Sequence, residues 1–328
     1  MLTGPVLAEV TRRDVRTGVE HVESVHAGSL VVARPEGSVL LSAGAPDLAV
    51  FPRSAVKPLQ AAVGLELLDD AAPTSGEIAV AWASHRGEPA QLAAVQQLLV
   101  RAGRGPEELT CPPAVAEATP GATPSRLQHN CSGKHALFAL AGRSVGVAGV
   151  ALLDPDGPLQ RVVLDRLGTW LGPVAGHGVD GCGAPAVVVP LHRLAAAFAA
   201  LAVAPRLEAV RDAGLTHPDL VGGQGRLESA LLGAGVVAKV GAEGVYAAGF
   251  LAADGSPAGL AIKAADGATR GVAAVVAFLL ETANIVPPGT WVPSPPLGGG
   301  RPAGQVRPTA LVHELADQLA GWVASGDR

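Results

Sequence analysis

Apolar and polar positions alternate with a period of about two through much of residues 5–50, most clearly in VESVHAGSLVVARPEGSVLLSAG, where Gly and Pro-Glu-Gly breaks separate the runs. This predicts an opening antiparallel meander. The period then lengthens. From Ser54 to about Leu68, and from Glu88 to about Ala102 (QLAAVQQLLVRAG), apolar spacing predicts amphipathic helices, the second closed by Gly103. Residues 112–124 read as loop, SGKHALFALAGR and DGPLQRVVLDRLGTWLG as helices, APAVVVPL as a strand, and residues 193–213 as Ala-rich and helical. In VVAKVGAEGVYAAGFLAADGSPAGLAIKAADG, β-type runs alternate with Gly and Asp-Gly turns. A helix over 269–283, a Pro/Gly-rich loop over 287–304 and a terminal amphipathic helix near 309–323 follow. Strands at both ends of a mostly helical middle predict an α+β fold, a sheet covered by helices, over a parallel doubly wound one. Residues 1–328 are expected to form one unit, divisible into two subdomains, and no internal repeat is evident.

Composition narrows the class of partner. Of 328 residues 48% are hydrophobic and 16% charged, which suits a globular chain with a substantial core. The net charge of −5, without a polybasic run, predicts no nucleic-acid or anionic-membrane partner and favours a neutral or zwitterionic small molecule. The N-terminus reaches Glu9 and Asp14 before any long apolar stretch, unlike a secretory signal, so a cytoplasmic location is expected. The longest apolar run, LAAAFAALAVA, falls short of the roughly 20 residues a membrane span needs. Three cysteines without CxxC spacing, Cys111, Cys131 and Cys182, argue against a disulfide framework and leave burial, metal binding or catalysis.

Only four of the 24 basic residues are lysine: Lys57, Lys134, Lys239 and Lys263. On a solvated surface arginine would serve as well, whereas only lysine can surrender its proton when desolvated. In FPRSAVKPLQ, Ser54 and Lys57 are three positions apart and share one side of a helical turn. A neutral amine there could take the hydroxyl proton, as in Ser-Lys nucleophilic catalysis, with backbone N–H groups at the helix start stabilising an oxyanion. Pro58 lacks the N–H that would bond the Ser54 carbonyl, so an irregular first turn is expected. Taken alone, the pattern favours a serine N-cap and a solvated lysine.

WASHRGEP reads most simply as a strand end and a capping interaction from Ser84 to Glu88; its functional reading makes Ser84 a second hydroxyl, paired with the distant Lys263 of GLAIKAADG. In HNCSGKH and VDGCGAP, Cys131 and Cys182 could bind a borderline ion such as zinc with Lys134 as a nitrogen donor, although buried structural cysteines are the simpler reading. The SGK run lacks the earlier glycine of a phosphate loop, and a nucleotide site is rejected.

Nine blocks in order, EVTR, VESVHAG, FPRSAVKPLQ, ASHRGEP, HNCSGKH, VDGCGAP, HPDLVGGQGRLE, VGAEGVYAAG and AIKAADGATR, resemble the bacterial asparaginase II family of the Rhizobium etli type. The resemblance implies an L-asparagine amidohydrolase with a fold similar to serine β-lactamases and glutaminases. Its two Ser-Lys tandems fall on Ser54 with Lys57 and on Ser84 with Lys263, and its zinc ligands on Cys131, Lys134 and Cys182, with water as the fourth. It also implies Arg53, Asn130 and Asp180 in the substrate site, and a homodimer. An arginine and a carboxylate are what an amino-acid substrate requires. CPPAV after residue 110 and LDPDGPLQ at 153–160 depart from the family pattern, and the terminal helix lies beyond the matched part. Hydrolysis of glutamine, a β-lactam or an ester, or non-catalytic binding of an amino acid, are the alternatives.

Overall fold

The computed structural model describes residues 3–68 and 72–326. They form two compact units, one from Met1–Val50, Pro190–Ala202 and Ala234–Arg328, the other from Phe51–Val189 and Val203–Gly233.

The first unit holds an antiparallel sheet. β1 (Val6–Arg13), β2 (Glu20–Ala33) and β3 (Val39–Ala43) realise the predicted meander. Asp14 makes the first reversal, its carboxylate accepting from the Arg16 and Thr17 N–H groups. Gly37, at φ 99°, supplies the left-handed residue of the second. The sheet continues through Pro257–Ala264 beside β2, then Val245–Leu251 and Val237–Gly241, while Val306–Pro308 closes the other edge on β1. Every residue from Val245 to Phe250 is buried, so both faces of that strand are covered. Helix Leu191–Val203 lies on one face over Gly249 and Gly259, which are cross-strand partners. A Cβ on either would stand 2.0 Å from a carbonyl oxygen of that helix, so only glycine admits so close an approach. Helices Thr269–Thr282 and Ala310–Ser325 complete the unit, and Ala274 of the first forms a buried cluster with Val10 and Val306 of the sheet. The sheet covered by helices is the predicted α+β architecture.

The second unit is mainly helical: α1 (Lys57–Glu66), α2 (Ser75–Ala81), α3 (Pro89–Ala102), α4 (Ser132–Ser144) and α5 (Pro158–Leu171), with a hairpin of Gly176–Val179 and Pro185–Pro190. α2 was not among the predicted elements, although Thr74 and Glu77 form the reciprocal cap that starts it. The helical stretch expected over 193–213 is divided. Pro205 lacks a helical N–H and holds Ala204 extended at ψ 127°, so Leu191–Val203 and Glu208–Thr216 are separate helices. The loop predicted over 287–304 carries one minimal strand pair, Leu297–Gly298 with Arg301–Pro302. No single described helix is long and apolar enough to cross a membrane.

Candidate active site

The Ser54 segment begins with a strained residue. Arg53 sits at φ 53°, and residues 53–56 form a 3₁₀ turn before α1. The Lys57 N–H bonds the Ser54 carbonyl, which satisfies the acceptor that Pro58 cannot reach. Pro58 thus occupies the second position of α1, where no backbone donor is required. The irregular first turn is this 3₁₀ geometry. Ser54 is half-buried; Lys57, on the same turn, is 1% exposed.

The Lys57 amine turns toward the end of α2. Its Nζ donates to the Ala83 carbonyl at 2.7 Å and to Ser84 Oγ at 3.1 Å. Ser84 therefore has a lysine partner in Lys57, and the described hydrogen bonds of Lys57 do not include Ser54. Lys263 belongs to the first unit, on strand Pro257–Ala264, where its Nζ donates to the Glu243 and Ala264 carbonyls at 2.6 Å each. Burial pulls that amine below its ordinary pKa, opposed by Glu243 and Asp266.

Three contacts join α2 and the Ser84 loop to the start of α4. Gly133 packs so tightly on α2 that a Cβ would stand 2.0 Å from the Val80 carbonyl oxygen. The His85 N–H bonds the Asn130 carbonyl at 3.2 Å, and His85 Nε2 lies 2.7 Å from Ser132 Oγ. Ser132 Oγ already donates to the Leu127 carbonyl, and His85 Nδ1 accepts from the Gly87 N–H, so the imidazole is neutral with its proton on Nε2. Burial, reinforced by the neighbouring Lys57 and His129, pushes His85 down to about 3.

The loop 180–184 supplies the remaining groups. Asp180 Oδ1 accepts from Arg53 Nε at 2.7 Å and from the Gly181 N–H at 2.8 Å. Burial would raise this carboxyl, but Arg53 outweighs it and holds the pKa below the usual range. Lys134 Nζ donates to Cys182 Sγ at 3.2 Å and stands 5.6 Å over the Phe138 ring. Cys131 is held well below the ordinary thiol range, first by a hydrogen bond from Cys182 and then by Lys57 and Lys134; Cys182, which donates that bond, is raised. Burial alone would lower Lys134, but the two sulfurs reverse the effect. The Asn130 side-chain amide lies 3.3 Å from Cys131 Sγ and is exposed.

Sequence reasoning passed over two histidines here. His129 Nδ1 accepts from the Cys131 N–H at 3.0 Å and fixes the turn into α4. His135 Nδ1 pairs with Thr110 Oγ1 at 2.6 Å, while its buried Nε2 makes no hydrogen bond of good geometry, although Cys182 is close enough to oppose the lowering by burial. Their places in HNCSGKH were visible, but nothing in that pattern says where each ring points. Cys111 stands apart in use: buried, it is pushed up to about 12 and is an inert thiol.

The donor set suits a borderline metal. Two sulfurs and an amine converge in a buried site, beside the unbonded imidazole nitrogen of His135. Among the described residues no group of three or more Cys, His, Asp or Glu side chains is placed to hold a metal, so such a set must count Lys134.

The family model for L-asparaginase II matches residues 10–308. The chain belongs to the L-asparaginase II family. It is therefore an amidohydrolase acting on a small-molecule substrate. The match includes every candidate site residue and ends before helix Ala310–Ser325, as the ordered blocks indicate. Both segments noted as departures, CPPAV and LDPDGPLQ, lie within it. No curated protein sequence matches the chain significantly. Among solved structures it is similar to a Bacillus subtilis glutaminase in covalent complex with 5-oxo-L-norleucine (14% identity, 72% of this chain and 79% of that one, TM-score 0.31). It is also similar to a Bacillus glutaminase in 4.3 M NaCl (13% identity, 79% and 91%, TM-score 0.36).

Proposed function

We propose that the protein hydrolyses L-asparagine to L-aspartate and ammonia through a serine acyl-enzyme. Ser54 Oγ attacks the side-chain carbonyl carbon as its proton passes to Lys57; the tetrahedral oxyanion rests on backbone N–H groups. Collapse breaks the C–N bond, and the proton held by the lysine leaves with ammonia. Water then cleaves the aspartyl ester, with Ser84 and Lys263 shuttling protons. The observation that carries this reading is the buried Lys57 amine, which shares the turn of Ser54 and reaches the hydroxyl of Ser84 at 3.1 Å. A binder would have little use for a buried amine in contact with a hydroxyl.

The guanidinium of Arg53 and the carboxylate of Asp180, with the exposed Asn130 as a further candidate, suit the α-carboxylate and α-ammonium of the substrate. Cys131, Lys134 and Cys182 would hold zinc. When bound, zinc would neutralise the paired sulfurs and fix the loop 180–184 against α4. Nucleophile and base come from the chain itself, so the metal is read as an organiser. A cytoplasmic homodimer remains the accompanying expectation.

The contact from Lys57 to Ser84 favours one second reading, in which Ser84 is the nucleophile and Ser54 the relay. Ammonia release from asparagine by wild type, Ser54→Ala and Ser84→Ala decides between them. Activity lost in both, with acyl-enzyme detected by mass spectrometry only on residue 54, supports the main reading; label on residue 84 supports the second. Faster turnover of glutamine or a β-lactam would change the substrate, and a thermal shift with asparagine but no ammonia from wild type would replace catalysis by binding.

A further inference from the structure

We infer that the Arg53–Asp180 ion pair aims the Ser54 nucleophile by locking a left-handed backbone, a positioning duty separate from substrate binding; this deepens the proposed function and rests on it. Arg53 is one of three described non-glycine residues at positive φ, and it stands immediately before Ser54. A side chain at such a φ is disfavoured by contact of its Cβ with the following carbonyl, so something outside the residue must hold it. On its N-terminal side Pro52, at φ −65°, is rigid, and the Ala55 N–H closes back on the Pro52 carbonyl at 3.1 Å across Arg53 and Ser54. On its far side the guanidinium is tied through Nε to Asp180 Oδ1 at 2.7 Å.

Asp180 is itself a fixed anchor. Its N–H bonds the Ala184 carbonyl at 2.9 Å, its carbonyl accepts from the Gly183 N–H at 2.8 Å, and its Oδ1 accepts from the Gly181 N–H. Relaxation of residue 53 to an ordinary φ would swing Ser54 relative to Lys57, whose amine is held by the Ala83 carbonyl. The ion pair opposes that swing. Contact through Nε leaves the two Nη groups on the outer end of the guanidinium, where a substrate carboxylate would meet them.

Glycine separates the two duties, because it loses the guanidinium as alanine does but adopts positive φ without cost. Steady-state hydrolysis of L-asparagine is to be compared for wild type, Arg53→Gly, Arg53→Ala and Asp180→Ala, with Ser54→Ala alongside. Positioning requires kcat for Arg53→Ala to fall about tenfold below that for Arg53→Gly, with KM alike in the two. It also requires Asp180→Ala to lower kcat by a larger factor in wild type than in the Arg53→Gly background, with its loss of substrate binding read separately in KM, a comparison that stands even if Arg53→Ala fails to fold. Equal kcat for the glycine and alanine variants, or an equal loss from Asp180→Ala in both backgrounds, overturns the inference while leaving the proposed reaction intact. Full activity in Ser54→Ala overturns both.

Discussion

Lys57 donates to Ser84 Oγ across 27 positions of chain, at 3.1 Å, from an amine that is 1% exposed. One lysine thus touches the hydroxyl of one tandem while sharing a helical turn with the serine of the other. If the proposed mechanism holds, the two serines depend on a common base. Lys57→Met should lower kcat for ammonia release by about 10²–10⁴, the range for a positioned general base. Lys57→Arg should lower it as far, because a guanidinium keeps the charge but cannot yield the proton. Recovery of more than a tenth of the activity in the arginine variant would show that charge alone suffices.

His85 makes stability depend on pH in a defined window. Its folded-state value is depressed to about 3 from the ordinary 6.5, so between those values the unfolded chain binds a proton that the folded chain refuses. The stability is fully present above the unfolded value and is lost as pH falls toward the folded one, at about 1.4 kcal/mol per pH unit for one such group. Denaturant unfolding of wild type and His85→Gln at pH 7, 6 and 5 checks this. Glutamine does not titrate, so the two stability curves should converge as the pH is lowered; parallel curves would exclude His85 as the source.

The architecture was legible because it depends on local pattern: β-runs at both ends, a helical middle, and breaks at Gly and Pro. The i, i+3 relation of Ser54 and Lys57 was legible for the same reason. The contact of Lys57 with Ser84 was not, since its geometry arises from the packing of α1 against the end of α2. Nor was the left-handed Arg53, because arginine carries no mark of the backbone it adopts. The helix α2 was legible and missed. Thr74 and Glu77 stand at the spacing of a capping box, but an element of seven residues is too short for periodicity to announce it.

Gly133 sets the distance between α4 and α2, and with it the approach of Cys131 to the Ser84 loop. A Cβ there would stand 2.0 Å from the Val80 carbonyl oxygen, a backbone atom that cannot rotate away. Gly133→Ala should therefore cost about 1–3 kcal/mol by overpacking, although alanine is the better helix former. Urea unfolding measures the cost. Gly168→Ala, in α5 where nothing lies within 4 Å of the added carbon, is the control and should be neutral or slightly stabilising. Equal behaviour of the two variants would mean that α4 can shift to make room.

Removing one sulfur tests whether the buried thiol pair serves a metal. Cys182→Ser retains the size of the side chain but replaces a soft donor with a hydroxyl, and it deprives Lys134 of its sulfur partner. If Cys131, Lys134 and Cys182 hold zinc, wild type should contain close to one equivalent by elemental mass spectrometry after exchange into metal-free buffer, and the variant far less. Wild type treated with a chelator should lose melting temperature, whereas the metal-poor variant should not respond. An organising metal predicts that the chelated enzyme keeps a fraction of its ammonia release, raised again by added zinc, because Ser54 and Lys57 remain in place. Zinc content unchanged by the substitution would place the metal elsewhere. Complete loss of turnover on chelation, with the fold intact, would instead make the ion a direct participant in the chemistry.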